Sequence, residues 1–201
     1  MHLQASGGVR LRVNDQIQQP KGQKSSYEFV QNLIADGKRP DGIAFMGHFE
    51  AGGLRSMDYL YESMERFAPL ADEIQITELD VNAPGDEHLQ ADYLRDVMIM
   101  AFSHPKMGGI THWGFWAGRH WKPTAALWRT DWSIRPAGQA YLDLVFNQWW
   151  TNETGETGDS GMWGFRGFHG DYEVVVEHEG KSSTHTLELR HDTGELVVRL
   201  E

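Results

Sequence analysis

The stretch DEIQITELDV, residues 72–81, decides the fold. Ile74, Ile76, Thr77 and Val81 give it the β-branched character of a strand, yet Glu78 stands in its middle. Side chains alternate along a regular strand with period two, which puts Ile74, Ile76 and Glu78 on one face. An ionised carboxylate among apolar neighbours is costly unless it is paired or hydrogen-bonded. Either the strand ends at a polar cleft with Glu78 on its rim, or the segment is no strand.

Its neighbours favour the first alternative. VRLRVND (9–15) alternates apolar and polar residues, DGIAFMGHF (41–49) is a short apolar run suited to a strand buried on both faces, and GGITHWGFW (108–116) reads as a fourth strand. Helical patterns fall between them. SSYEFVQNLIADG carries a capping-box spacing at Ser25 and Glu28, a stripe of Tyr27, Val30, Leu33 and Ile34, and Gly37 as its C-terminal stop. Residues 56–68 and 88–103 show apolar stripes of the same period, and 136–149 opens with proline at its first turn. The alternation βαβαβαβα implies a parallel sheet covered by helices, an α/β fold. Beyond residue 151 the character changes. TNETGETGDSG reads as a linker over 152–160, and DYEVVVEHE, THTLELRH and LVVRLE read as three antiparallel strands of a small β appendage over 161–201.

Composition narrows the function. The 201 residues carry a formal net charge of −11, which argues against nucleic-acid or anionic-membrane partners. The absence of cysteine excludes disulfides and thiol chemistry. No apolar run approaches a membrane span, and the N-terminal MHLQASGGVRLRV lacks the apolar core of a signal peptide. The ten histidines show no metal-ligand spacing on one helix, so neither a metal nor another cofactor is expected. Five tryptophans, Trp113, Trp116, Trp121, Trp128 and Trp132, fall within one twenty-residue stretch. Such a cluster fits either flat platforms for sugar rings or an aromatic-rich core.

In parallel α/β sheets and barrels, functional groups gather at the C-terminal strand ends. Here those ends read VNDQ, MGHFE, TELD and THWGFW. Taken singly, each has a plain structural reading: Asn14 and Asp15 as turn residues, His48 as a core histidine, Glu78 as an ion-pair partner, Asp80 as a loop start.

Together, in collinear order from about residue 9 to 151, ITELDV, HPKMGGITHWGFW, LWRTDWSIRPAGQAYLDLVFNQWW, VND and DGIAFMGHF resemble the glycoside hydrolase family ten xylanases. The resemblance implies the C-terminal half of a TIM (β/α)8 barrel, strands five to eight, acting on a xylan-like polysaccharide by the retaining mechanism. It makes Glu78 the nucleophile and His48 its hydrogen-bonding partner. Trp113 and Trp121 become the walls of the glycone subsite, and Asn14 and Asp15 cleft residues of strand five. Two positions depart from the family pattern, Met46 where many members have Gln and Gln16 where many have Tyr.

The family's acid/base, an Asn-Glu at the end of barrel strand four, has no counterpart upstream of Asn14; Asp15 and Glu50 are the nearest other carboxylates. A whole barrel needs about 250 residues. The expectation is therefore an incomplete barrel that self-associates or pairs with a missing N-terminal half, with little turnover alone. Secretion is expected from the resemblance. A non-catalytic sugar-binding protein and a purely structural domain are the competing readings.

Overall fold

Four strands pair in parallel and in chain order: β1 (Arg12–Gln16), β2 (Gly42–Glu50), β3 (Glu73–Asn82) and β4 (Met107–His112). Between them run α1 (Pro20–Ala35), α2 (Met57–Phe67) and α3 (Glu87–Phe102), and α4 (Pro136–Asp143) follows. The computed structural model describes residues 12–17, 20–190 and 193–199, of which 12–16 and 20–23 are described by backbone alone. Among these residues no helix is long and apolar enough to cross a membrane. The chain divides near the end of α4 into two compact units, Met1–Leu142 and Asp143–Glu201.

One face of the sheet is sealed by the helices. Phe45 of β2 meets Phe67 of α2 edge-on at 5.5 Å, Tyr27 of α1 meets the same ring at 5.4 Å, and Phe49 meets Tyr93 of α3 at 5.1 Å. Ile43, Leu60, Met64, Ile74, Ile76, Leu79 and Leu94 are buried with them. Each such side chain contributes about 1.5–3 kcal/mol on leaving water. Gly47 makes room for this layer: a Cβ there would stand 3.3 Å from Ile76 Cγ2 and 3.4 Å from Leu79 Cδ1.

The helix ends follow local chemistry. Ser56 caps α2 by accepting from the Tyr59 N–H at 3.2 Å, and Asp86 caps α3 by accepting from Leu89 at 2.9 Å. Gly37, at φ +72°, ends α1 while the Lys38 N–H reaches the Leu33 carbonyl and the Gly37 N–H that of Ile34.

Several expected boundaries move. The helix expected to open at Ser25 begins at Pro20, so Ser25 and Glu28 lie inside α1 and form no capping box. Proline tolerates that first position because its missing N–H would have had no helical acceptor. The strand expected over 108–116 ends at His112, because the chain turns at Gly114 with φ +72°. A Cβ on Gly114 would lie 2.6 Å from the His120 ring. The last helix is α-helical only to Asp143 and finishes in one wider turn, Leu144–Gln148, closed by Trp149 N–H to the Leu144 carbonyl.

In the second unit, β5 (Gly170–His178) and β6 (Lys181–Leu189) form an antiparallel hairpin. Glu179 and Gly180 both have positive φ, the two-residue turn that matches strand twist. The third expected strand does not form over its described part, 196–199. The turn before it, DTGE, lies partly outside the described residues. The segment expected to be a linker turns back on its own unit: the Gly158 N–H reaches the Met162 carbonyl, and a Cβ on Gly155 would collide with the Trp163 indole.

His112 follows from the helix-facing register of β4, where it pairs with Leu79. Both its ring nitrogens are buried, and burial, helped by neighbouring His120, pushes its pKa down from 6.5 to about 4. The unfolded chain therefore binds this proton first as pH falls. The contribution of neutral His112 is whole above pH 6.5 and is lost as pH drops toward 4. The loss is on the order of 3 kcal/mol. Urea unfolding at about pH 7.5 and about pH 4.5 should show the parent losing more stability over that interval than His112→Phe does.

Candidate active site

The pairing register answers the question that Glu78 raises. Phe45 pairs with Ile76, but the next residue of β2, Met46, pairs with Glu78. Thr77 is thus an extra residue, a β-bulge, and Ile76 to Leu79 likewise spans one residue more than Ile110 to His112 on β4. The bulge breaks the period. Ile74 and Ile76 pair with Ile43 and Phe45 on the helix-facing side, and Leu79 and Val81 rejoin that side opposite Gly47 and Phe49. Glu78, Asp80 and Asn82 pair with Met46, His48 and Glu50 on the other side. The expectation that Ile74, Ile76 and Glu78 share a face is therefore wrong, and the burial problem it posed disappears.

On that second face a chain of close polar contacts holds Glu78. His48 Nε2 lies 3.0 Å from Glu78 Oε2, and His48 Nδ1 lies 3.0 Å from Asp80 Oδ1. Asp80 is 1% exposed and accepts from the Trp121 indole N–H through its other oxygen at 2.7 Å. A buried carboxylate survives only with such partners. The Trp121 and Trp113 rings stand edge-on to the His48 ring, at 5.2 and 6.0 Å. Glu78 itself keeps 22% of its side chain exposed, so it is oriented yet reachable.

His120 ties the two tryptophans together. Its Nδ1 accepts from the Lys122 backbone N–H at 3.0 Å, so the proton sits on Nε2, which donates to the Trp113 carbonyl at 2.6 Å. The same Nε2 lies 3.7 Å from Asp80 Oδ2. Further along the strands, Glu50 accepts from Asn82 Nδ2 at 2.8 Å and forms an ion pair with Lys122. The Lys122 ammonium stands 4.2 Å above the Trp121 ring, a cation–π contact. Thr124 donates its hydroxyl to Asn82. The loop that carries Trp121 is thus bound to the ends of β2 and β3 by charge and by hydrogen bonds.

Of the residues singled out from sequence, Glu78, His48, Trp113 and Trp121 come together. Asn14 and Asp15 stand on β1 opposite Ala44 and Phe45, two strands from β3, or about 9.5 Å by strand spacing. The cross-strand row of Glu78 holds Met46 and then Gln16, the two positions that depart from the family pattern. Glu50 pairs four residues beyond this row, about 13 Å along the strand. Sequence reasoning passed over His120 and treated Asp80 as a loop start. The adjacency of His120 to Trp121 and the period-two relation of Asp80 to Glu78 were the available signals.

Asp80 is the junction of the chain. Asp80→Ala removes the acceptor of the Trp121 indole and the partner of His48, and should cost about 2–4 kcal/mol. Asp80→Asn, which keeps one carbonyl acceptor, should cost less. Urea unfolding followed by tryptophan fluorescence separates the two variants, and in Asp80→Ala the folded-state emission should shift to the red as Trp121 is released.

Comparison with known proteins gives this geometry a context. The sequence profile of glycosyl hydrolase family 10 matches residues 3–144. The chain is 36% identical over 92% of its length to the anti-sigma-I factor RsgI6 of Acetivibrio thermocellus, covering 24% of that protein. It is 31% identical over 78% of its length to endo-1,4-beta-xylanase 1 of Arabidopsis thaliana, covering 16% of it. Among solved structures, 72% of the chain superposes on 48% of xylanase 10B from Thermotoga petrophila, with a TM-score of 0.62 and 26% identity. The chain thus spans a quarter or less of these curated relatives and about half of the solved xylanase. The profile covers more than two thirds of the sequence, and with it the strands that bear Glu78, His48 and Trp113: the chain belongs to glycosyl hydrolase family 10, a TIM-barrel family, and covers part of the barrel.

Proposed function

We propose that this chain forms barrel strands five to eight of a retaining endo-1,4-β-xylanase-type hydrolase and carries its nucleophile, Glu78. One observation supports this above the rest: a partly exposed carboxylate, held by His48, which Asp80 backs in turn, beside two indole rings in the C-terminal half of a parallel strand. In the retaining mechanism a Glu78 oxygen attacks the anomeric carbon. The bond to the leaving oxygen breaks with its electron pair, and the sugar becomes esterified to Glu78. His48 keeps the attacking oxygen aimed, and Trp113 and Trp121 pack the sugar faces. Asn14, level with Ala44, falls in the register of the Glu78 face further from the reacting bond, whereas Asp15, level with Phe45, falls in the helix-facing register.

The leaving oxygen of a polysaccharide also needs a proton, from a second carboxyl about 5–5.5 Å from the first. Glu50 pairs four residues beyond the row of Glu78, about 13 Å along the strand, and Asp15 pairs with Phe45 in the helix-facing register, so neither is assigned this role. The general acid is then expected from barrel strands that precede β1 in whole family members, whether on the same polypeptide or on a paired half. General acid catalysis typically contributes about 10²–10⁴-fold, so these residues alone should turn over xylan slowly at best.

A second reading, a polysaccharide-binding module without turnover, is favoured by the RsgI6 relative, whose name describes regulation and not hydrolysis. An aryl xyloside with a good leaving group separates the two, because an aryl oxide departs without the missing proton. Intact-mass measurement after incubation with a slow-turnover 2-fluoro aryl xyloside should show one added glycosyl group on the parent and none on Glu78→Ala. Affinity for xylan with no adduct would support the binding module in place of the hydrolase.

A further inference from the structure

The five clustered tryptophans separate into two groups. Trp113 and Trp121 belong to the site around Glu78, but Trp116, Trp128 and Trp132 do not. Trp116 and Trp132 stack in parallel, with centroids 5.1 Å apart and planes at 9°, and Phe115 leans on Trp132 at 6.3 Å and edge-on to Trp128 at the same distance. Trp132 is 59% exposed and Phe115 56%.

This is no loose surface residue. Trp132 has φ +66°, the left-handed region that a bulky side chain adopts only at a cost. It occupies the last position of a tight hairpin, where glycine would be the unstrained choice: the Trp132 N–H reaches the Arg129 carbonyl and the Arg129 N–H reaches the Ser133 carbonyl. Asp131 Oδ1 accepts from both the backbone N–H and the hydroxyl of Ser133. Arg129 donates to the Ile134 carbonyl at 2.8 Å and pairs with Glu87, anchoring the turn at the start of α3. The Trp116 indole N–H donates to the Thr130 carbonyl at 3.2 Å and fixes the inner ring. The turn therefore spends backbone strain to hold a flat apolar face toward solvent.

We infer that the Trp116–Trp132 stack is a second carbohydrate-binding platform, which carries a polysaccharide chain beyond the Glu78 site. The proposal rests on the xylanase-type reading above. Three observations single out a neutral sugar chain as the occupant. The outer ring is flat and rigid, which matches the C–H-rich face of a pyranose. The polar fringe of Asp131, Ser133 and Arg129 is short and of mixed charge, as hydroxyl recognition needs, and the net charge of −11 disfavours a polyanion. The platform is also continuous with the site: the Trp116 carbonyl accepts from the Arg119 and His120 N–H groups, so the inner ring begins the turn that delivers His120 and Trp121.

The test uses the full chain and titrates xylobiose and xylohexaose by calorimetry or by fluorescence with Trp132→Gly, Trp132→Asn and Trp121→Ala. Glycine and asparagine both accept the left-handed backbone, so these variants remove the indole and relieve the strain together. Trp132→Gly and Trp132→Asn should weaken xylohexaose binding about threefold to tenfold while xylobiose changes by less than about twofold. Trp121→Ala should weaken both sugars. If Trp121→Ala weakens both and the Trp132 variants change neither, the platform is refuted while the site reading stands. If the parent binds neither sugar, or Trp121→Ala has no effect, the site reading fails and the platform falls with it. A lower melting temperature or lost self-association in the Trp132 variants, with xylohexaose affinity unchanged, makes the stack a packing or protein-contact feature and overturns the proposal.

Discussion

The site depends on one bulged residue. Were Thr77 held in the ladder, β3 would keep its alternation, and Glu78 would follow Ile74 and Ile76 toward Phe45 and the helices. The cost of burying that charge would then fall on the core. With Thr77 bulged, Ile76 and Leu79 both remain on the apolar side, and Glu78, Asp80 and Asn82 share the other with His48 and Glu50. Gly47 is the matching concession on β2, since it pairs with Leu79 and a Cβ there would press on Ile76, Phe49 and Leu79. The bulge lets one strand be a core strand over its first half and a functional strand over its second.

What the bulge exposes, Asp80 secures. A carboxylate that is 1% exposed would be a liability alone, but it is shared by an imidazole and an indole N–H from another loop. The ring that orients Glu78 and the ring that walls the site therefore answer to one buried group. His120 performs the corresponding service for Trp113 through a backbone carbonyl, and its tautomer is fixed by the Lys122 N–H. Trp121 is thus tethered by a polar contact at its indole edge and Trp113 by one at its backbone carbonyl. Half-exposed indoles need such tethers, because apolar packing on one face alone does not fix a ring's rotation.

How much of this was legible follows from range. The period of the apolar residues showed the four strands and three of the helices, because burial against a neighbour imposes that period on the sequence itself. The exact start of α1 was hidden, since Pro20 and Ser25 both offer plausible openings and only tertiary context chooses between them. The end of β4 was hidden because the demand for glycine at position 114 comes from His120, six residues on. The bulge could not be read either: its evidence lies in pairing with two other strands, whereas ITELDV by itself looks regular. The grouping of Glu78, His48, Trp113 and Trp121 was legible because a whole set of motifs in order carries more information than any one. Asp80 was within reach, two residues from Glu78 and on its face once the strand's second half is counted alone. The third strand expected in the appendage illustrates the opposite case: LVVRLE has the alternation of a strand, yet its described residues 196–199 form none, because alternation supplies no pairing partner.

The row Gln16–Met46–Glu78 bears on what the site accepts. Glu78 is level with two residues that differ from the commonest family choices, while the groups that orient it, His48 and Asp80, sit one pleat further along and keep the family pattern. A thioether at Met46 in place of an amide removes one donor and one acceptor and leaves a flexible apolar surface. Such a change lowers the number of hydroxyls that can be satisfied beside the anomeric carbon without disturbing the carboxylate. Glu78 keeps both its orienting partner and its access to solvent. The pairing of Glu78 with His48 and its access to solvent are what the proposed nucleophile requires, and the departures at Met46 and Gln16 touch neither.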